Sequence, residues 1–393
     1  MLPRERVLTT LGHKEPDRIP WGEHLIDCNV YEAILGRPTF VNSHFKEQQA
    51  CWQGRRDEVV EHYKRDLPEL TYALGLDIVT LPEVLPAKDS VYSPMKKIDD
   101  VTYCDENDNI FKVSNSGWLL PYKMNKDKYL CPTVESVQKQ IDKLDSAPPV
   151  NVSDSCWEVH CYINDKMKKT HFIAGLGEGI EFPCFGIDEI EGWISLIEYP
   201  DVCKKIAELR GKQSIRTIQA YAALGLDAII VCGDLGQSRG LSASPAIYKE
   251  LVFPWQKAQA EEAHRLGLKI LLHCCGNIWS VINDIADLYD AYESIQTSAG
   301  MDIRKLKEDV GQKITLWGGI SHEHIHGGTV EDIRDDARYS FHHAARGGGY
   351  IMGSSHSLAI GAKIENIFEM KRCRDEWGVY PIDGKFTAKR SCS

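Results

Sequence analysis

The residues best suited to chemistry stand at the end of one apolar run, Lys269-Ile270-Leu271-Leu272-His273-Cys274-Cys275-Gly276-Asn277. A hydrophobic stretch of strand length stops abruptly at an imidazole, two thiols, a glycine and a carboxamide. Side chains alternate along an extended chain, so His273 and Cys275 share one side while Cys274 points into the wall. Neutral imidazole with thiolate is a donor pair that zinc favours, and a catalytic zinc takes a third protein ligand and keeps one open position. His356, Asp234, Glu181 or another cysteine could complete the set, and spacing does not choose among them. Both residues also have plainer readings. A strand-end histidine can be a buried, hydrogen-bonded group, and free cysteine is among the most buried residue types.

The elements around this stretch follow an α/β grammar. Trp255 to Gly267 has helical spacing closed by a glycine, and Ile278 to Leu288 is helical again. In chains with parallel strands, chemistry sits at the carboxyl ends. Apolar strand-length runs recur at His171–Gly175, Asp227–Cys232, Lys269–His273, Tyr292–Gln296, Lys313–Trp317 and Gly349–Gly353. Helix-compatible segments lie between them at Ile187–Ile197, Pro200–Leu224, Ala246–Leu266, Ile278–Tyr289, Asp302–Val310 and Thr329–Ala345. With a strand at Gly75–Thr80, the count leaves room for one more in the less regular first half. The spacing predicts a single (β/α)8 TIM barrel over residues 1–393, with an open doubly wound sheet as the alternative. No Gly-x-Gly-x-x-Gly supports a dinucleotide-binding form of that alternative. Residues 1–75 read as a helical extension, from a short helix at Pro3–Leu11 through an extended Arg18–Trp21. Residues 81–132 read as an inserted antiparallel hairpin and lid, with Leu119–Lys128 a mobile loop, and 371–393 as a polar tail on the outside.

Polar residues gather at several strand ends. One run leads into Gly177-Glu178-Gly179 with Glu181 beyond, and the next into Gly233-Asp234-Leu235-Gly236-Gln237. Others end in Gln296, Gly318-Gly319 and Gly353-Ser354-Ser355-His356. Asp234, His273 and His356 are the catalytic candidates. Glu181, Gln237, Asn277 and Gln296 are the substrate-binding candidates. Asp234 has two readings: a cap for the next helix, or a carboxylate that anchors a cation, moves a proton or orients a metal ligand. His322-Glu323-His324-Ile325-His326 lacks the spacing that puts two ligands on one helical face, and reads as a solvated loop near the active face. His342-His343 reads as the surface of a helix. There is no phosphate-binding loop, nucleophile elbow or Cys-x-x-Cys pair.

Composition narrows the classes. A net charge of −11 argues against nucleic acid or a membrane surface as partner, and 43% hydrophobic residues suffice for a large core. No stretch approaches the ~20 apolar residues of a membrane span. The start, Met1-Leu2-Pro3-Arg4-Glu5-Arg6, lacks a signal-peptide core, and the 13 cysteines are scattered without a disulfide framework. A reducing cytoplasm is the expected location.

Taken together, these residues resemble the uroporphyrinogen decarboxylase superfamily, and within it the corrinoid-dependent methyltransferase branch. The resemblance begins at Arg4-Glu5-Arg6-Val7-Leu8 and Glu15-Pro16-Asp17-Arg18-Ile19-Pro20. It runs in order through Gly233-Asp234, Ser244-Pro245, His273-x-Cys275-Gly276-Asn277, Gln296, Gly300-Met301-Asp302, Leu316-Trp317-Gly318-Gly319, Gly347-Gly348-Gly349-Tyr350 and Ser355-His356 to Glu365-Asn366. It implies a (β/α)8 barrel and an enzyme that moves a methyl group between a small donor, such as a methoxylated aromatic, and the cobalt of a separate corrinoid protein. Zinc is the implied metal, His273 and Cys275 its implied ligands, and His356 the residue that stands where thiol-methylating members carry a third cysteine. A homodimer is compatible with it. The alternatives are decarboxylation of a tetrapyrrole, and transfer from a methylcorrinoid to a thiol or to tetrahydrofolate. Decarboxylases of the superfamily carry an Arg-Gln-Ala-Gly-Arg-Tyr run that grips carboxylates. The corresponding Trp21-Gly22-Glu23-His24-Leu25-Ile26-Asp27 has no arginine and two acids, which would repel a polyanion. No Asp-x-His-x-x-Gly cobalamin signature is present, so the corrinoid would arrive on a partner.

Overall fold

The structure is a computed structural model, and it describes residues 1–180 and 182–382. Seven parallel strands pair in chain order: β1 (Ile78–Leu81), β2 (Phe172–Glu178), β3 (Ala228–Cys232), β4 (Lys269–His273), β5 (Ala291–Glu293), β6 (Thr315–Ile320) and β7 (Tyr350–Ser354). The eighth position belongs to the extended segment around Trp21. Met352 N donates to Pro20 O at 2.9 Å, Gly22 N to Met352 O at 3.1 Å, and Asp77 N to Trp21 O at 2.7 Å, so this segment stands between β7 and β1. Pro20 has no N–H, which restricts the segment to isolated bridges rather than a full ladder. The barrel expected from the sequence is therefore present, with its last stave supplied by the N-terminal region.

The strand pattern explains the two layers of core. In β4, Leu271 faces the barrel interior while Ile270 and Leu272 face the helices, and all three are fully buried. Each such burial stabilises the fold by roughly 1.5–3 kcal/mol. The interior cluster joins Ile78, Phe172, Ile230, Leu271, Trp317 and Ile351 to Val7 and Leu11 of α1 (Pro3–Leu11), which plugs the amino-terminal mouth. Trp317 Nε1 donates to Gly22 O at 2.9 Å, and a Cβ on Gly22 would come within 2.7 Å of Ile78, so only glycine lets the closing segment pass. Beneath it, Asp77 is fully buried, pairs with Arg6, accepts Trp21 N at 2.8 Å and lies 3.6 Å from Arg374.

The first half supplies α2 (Cys28–Leu35), α3 (Phe45–Trp52) and α4 (Arg56–Leu74), as the helical reading expected. Residues 81–132 form more than a hairpin: strands at Lys96–Lys97, Thr102–Cys104, Ile110–Val113 and Leu119–Lys123 make a four-stranded antiparallel sheet. The segment read as a mobile loop is thus that sheet's last strand followed by a short helical turn at Lys126–Lys128; its polar, exposed pattern is that of an edge strand. The tail reading also changes. Ile364–Trp377 is one helix, and Met370, Cys373 and Arg374 turn inward at helical spacing, so 371–377 belongs to the core and 378–382 follows it. Residues 383–393 lie outside the described residues. No helix among the described residues is long and apolar enough to cross a membrane.

Candidate functional site

β4 delivers His273 to the carboxyl-terminal mouth, and the chain then turns through Gly276 at φ +81°. A Cβ on Gly276 would lie 2.3 Å from the carbonyl carbon of Gly236, so the β4 turn is pressed against the β3 turn. Polar side chains lock the two turns together. Asp234 Oδ1 accepts Cys275 N at 2.7 Å, and Gln296 Oε1 accepts Gly276 N at 2.9 Å. Asn277 Nδ2 donates to Ala299 O at 3.0 Å. Asn277 and Gln296 do not line the main cavity; their side chains hold the backbone that presents Cys275. Gln237 is exposed and lines a neighbouring cleft together with Asp234. Glu181 lies outside the described residues.

The predicted metal ligands meet. His273 Nε2 is 3.5 Å from Cys275 Sγ, and the donor atoms of His273, Cys275 and His356 all lie within 4.8 Å of one another. His356 Nδ1 accepts the N–H of Ser357 at 2.7 Å, which leaves its other ring nitrogen for the thiol. Ser294, a non-glycine residue at φ +71°, places its Oγ 3.2 Å from Cys275 Sγ and donates to Ser355 O at 2.8 Å. Backbone strain of this kind concentrates at functional sites. Cys274 faces away into the helix layer, where burial pushes its thiol up to about 12. Cys232 lines the cavity, but burial raises it to about 11, so it stays protonated.

Two further residues complete the arrangement. Glu293, fully buried at the end of β5, hydrogen-bonds His273 Nδ1 through Oε2 and lies 3.3 Å from His24 Nδ1 through Oε1. His24 stacks on His273 with ring centroids 3.9 Å apart. Sequence reasoning missed both. The apolar run Tyr292–Gln296 predicts a strand that reaches Gln296, but the pairing of β5 stops at Glu293, so the inward residue at the strand end is an acid. His24 follows the closing segment, whose place in the ring no periodicity reveals.

Burial disfavours an ionised Glu293, but the imidazoles of His24 and His273 outweigh it and hold the carboxylate at about 2. Burial likewise opposes charge on His273, and Glu293 with Cys275 outweighs it, raising the imidazole well above its ordinary range. Burial opposes ionisation of Cys275 too, yet hydrogen bonds from His273 and His356 bring the thiol below its usual value. Burial keeps His24 lowered. The site thus favours thiolate and imidazolium, and a cation could displace those protons. Two imidazoles and a thiolate give three protein ligands with room for a fourth, and a carboxylate behind a ligating histidine fixes its tautomer. The residues therefore fit zinc.

The two acids that the sequence set against a polyanion do not face the cavity as free charges. Glu23 is buried, accepts Trp21 Nε1 at 2.7 Å, and lies 2.6 Å from Ser354 Oγ. Ser354 donates to Glu23 through its backbone N–H, at 3.1 Å, and through its hydroxyl, which also contacts His356 O. Burial pushes Glu23 up to about 8. Asp27 stands at the start of α2 and lies 2.9 Å from His44 Nε2. A folded-state value near 8 against 4.5 unfolded means that the unfolded chain releases this proton first as pH rises. Stability from Glu23 is complete below about pH 4.5 and is lost between there and about 8. Glu23→Gln is expected to flatten that loss, by up to about 1.4 kcal/mol per pH unit, in chemical denaturation between pH 5 and 8. Parallel pH profiles for variant and parent would contradict it.

His322–Gly327 is a short helix rather than a loop, capped by Ser321, and His322 comes within 5.3 Å of His356, centroid to centroid. His342 and His343 lie in a half-buried π turn at Phe341–Ala345. Over the cluster opens a cavity of about 820 Å³, lined by His24, Asp234, His273 and His356 at its inner end and by Phe45 and Trp118 farther out. Trp118 comes from the inserted sheet and stacks on His44 at 3.7 Å.

Comparison with known proteins places the chain in a family and supports the barrel fold. The family profile Uroporphyrinogen decarboxylase (URO-D) matches residues 127–377. Among solved structures, a methyltransferase from Methanosarcina mazei superposes with a TM-score of 0.64 at 16% identity, covering 96% of this chain and 99% of its own. A chitinase from Chromobacterium violaceum ATCC 12472 reaches 0.36 at 8% identity, over 77% of this chain and 93% of its own. No curated protein sequence matches significantly.

Proposed function

We propose that this chain, which belongs to the uroporphyrinogen decarboxylase family, is a methyltransferase that works with a separate corrinoid protein. The transferred methyl group comes from a small methylated donor such as a methoxy compound, and the acceptor is the cobalt carried by that partner. The observation that carries this reading is the convergence of His273, Cys275 and His356 within 4.8 Å at the open mouth of the barrel. These three residues would hold zinc, which supplies Lewis acidity toward the leaving oxygen. Glu293 orients His273, and Asp234 fixes the backbone of Cys275. Aromatic residues of α3 and of the inserted sheet line the outer cavity and exclude water from the donor. The shared barrel of the Methanosarcina mazei methyltransferase supports the fold that the reading requires. Tetrapyrrole decarboxylation is disfavoured, because the described residues lining the main cavity include neither Lys nor Arg to receive several carboxylates.

The test is optical. The chain, a cob(I)alamin-loaded corrinoid protein and a panel of methoxy donors are mixed anaerobically, with and without added zinc. Conversion to the methylcobalamin spectrum is expected in the zinc-containing mixture. Absence of conversion across the panel, with decarboxylation of a tetrapyrrole instead, would overturn the reading.

A further inference from the structure

The charges facing the 820 Å³ cavity are one-sided. Its described lining residues include Glu47, Glu83 and Asp234 but no Lys or Arg. Asp234 is engaged with Cys275 N and lies 3.9 Å from His273. Glu47 accepts only the Tyr63 hydroxyl, at 2.9 Å, and among the described residues neither Glu47 nor Glu83 lies within ion-pair distance of a cation. The lining histidines are committed elsewhere: His24 and His273 to Glu293, His356 to Cys275, and His44 to Asp27. Burial lifts Glu47 to about 7, as befits a carboxyl group without a counter-ion. Around these acids stand Phe45, Trp52, Tyr63, Tyr92 and Trp118, whose ring faces carry the negative lobe of the aromatic quadrupole. Trp118, 43% exposed, is at the solvent side of the wall.

We propose that the small molecule bound in this cavity carries a fixed positive charge, as a quaternary ammonium or comparable organic cation, held between the aromatic wall and the carboxylates of Glu47 and Glu83. Aromatic faces and a carboxylate are the chemistry that recognises such ions. A neutral ligand would leave both acids without a counter-charge, and an anion would be repelled by them. The inference rests on the methyl-transfer reading only in identifying this cation as the methyl donor. The charge is assigned to Glu47 and Glu83, neither of which is among the three ligands, so the donor's cationic end and its methylated atom occupy different parts of one cavity.

The test compares choline with its uncharged isostere 3,3-dimethylbutan-1-ol on the full chain, by calorimetry and by quenching of tryptophan fluorescence. Choline is expected to bind at least about tenfold more tightly than the alcohol. Glu47→Gln, which keeps the hydrogen bond to Tyr63, and Glu83→Gln should each weaken choline severalfold and leave the alcohol unchanged. Equal or tighter binding of the alcohol, undiminished choline binding in both variants, or no choline binding at millimolar concentration would overturn the proposal. Metal content and methyl transfer to cobalt, measured on the same preparations, separate the two claims. A metal-loaded, methyl-transferring chain without cation preference would refute this inference alone. A cation-binding chain that neither holds metal nor methylates cobalt would refute the methyl-transfer reading alone.

Discussion

Cys275→Ser is expected to lower kcat/KM for methyl transfer to cobalt by at least about 10³-fold, roughly 4 kcal/mol of transition-state stabilisation. The reason is specific to this thiol. Of the cysteines near the mouth, Cys274 and Cys232 are kept protonated by burial, whereas the imidazoles of His273 and His356 hold Cys275 toward thiolate. A serine hydroxyl does not ionise at neutral pH and is a poor zinc ligand. The fold should not suffer, because Asp234 and Gln296 grip the backbone of this turn rather than the sulfur. Steady-state kinetics with circular dichroism checks both halves: full activity would remove Cys275 from the chemistry, and a lost fold would make it structural.

Asp77→Ala is expected to destabilise the chain by about 3–5 kcal/mol, the range for removing one partner from a buried ion pair. Asp77 is fully buried, pairs with the buried Arg6, lies 3.6 Å from the buried Arg374 and accepts the N–H of Trp21. Its removal takes the buried counter-charge from both guanidinium groups, leaving Arg6 to Asp17 and Arg374 to Asp375, and unties the segment that fills the eighth stave. Because Glu23 and His24 follow that segment, the cluster of His273, Cys275 and His356 should loosen as well. Urea denaturation reads the first effect. A change below about 1 kcal/mol would place the closure of the barrel in other contacts.

How far the sequence carried this reading depends on what each residue must satisfy. The strands after residue 170 were legible because each is a short apolar run, buried on both faces and separated by helical spacing. His273 and Cys275 were legible because a period of two puts them on one side of β4. His356 was one of several possible third ligands, and the structure brings its ring to the other two. Asn277 and Gln296 were also legible as strand-end polar residues, but nothing in spacing separates a group aimed at a ligand from one that braces a turn. Glu293 was obscured by a strand that stops three residues early. The closing segment around Trp21 was read as extended, yet its partners Met352 and Asp77 are distant in the chain. The cavity wall was least legible, since Glu47 comes from the N-terminal helical extension and Trp118 from the inserted sheet, segments that meet only in the folded chain.

The most direct measurement is the metal content of the purified chain by elemental analysis, made in parallel on His273→Ala, Cys275→Ser and His356→Ala. Glu293→Gln, which disturbs a ligand's orientation rather than a ligand, serves as the graded control, with affinity down by about 10–100-fold. About one zinc per chain, lost in each of the three ligand variants, is the expected result. A chain without metal when purified free of chelators, or zinc retained after loss of Cys275 and His356, would contradict the metal-assisted methyl transfer proposed here.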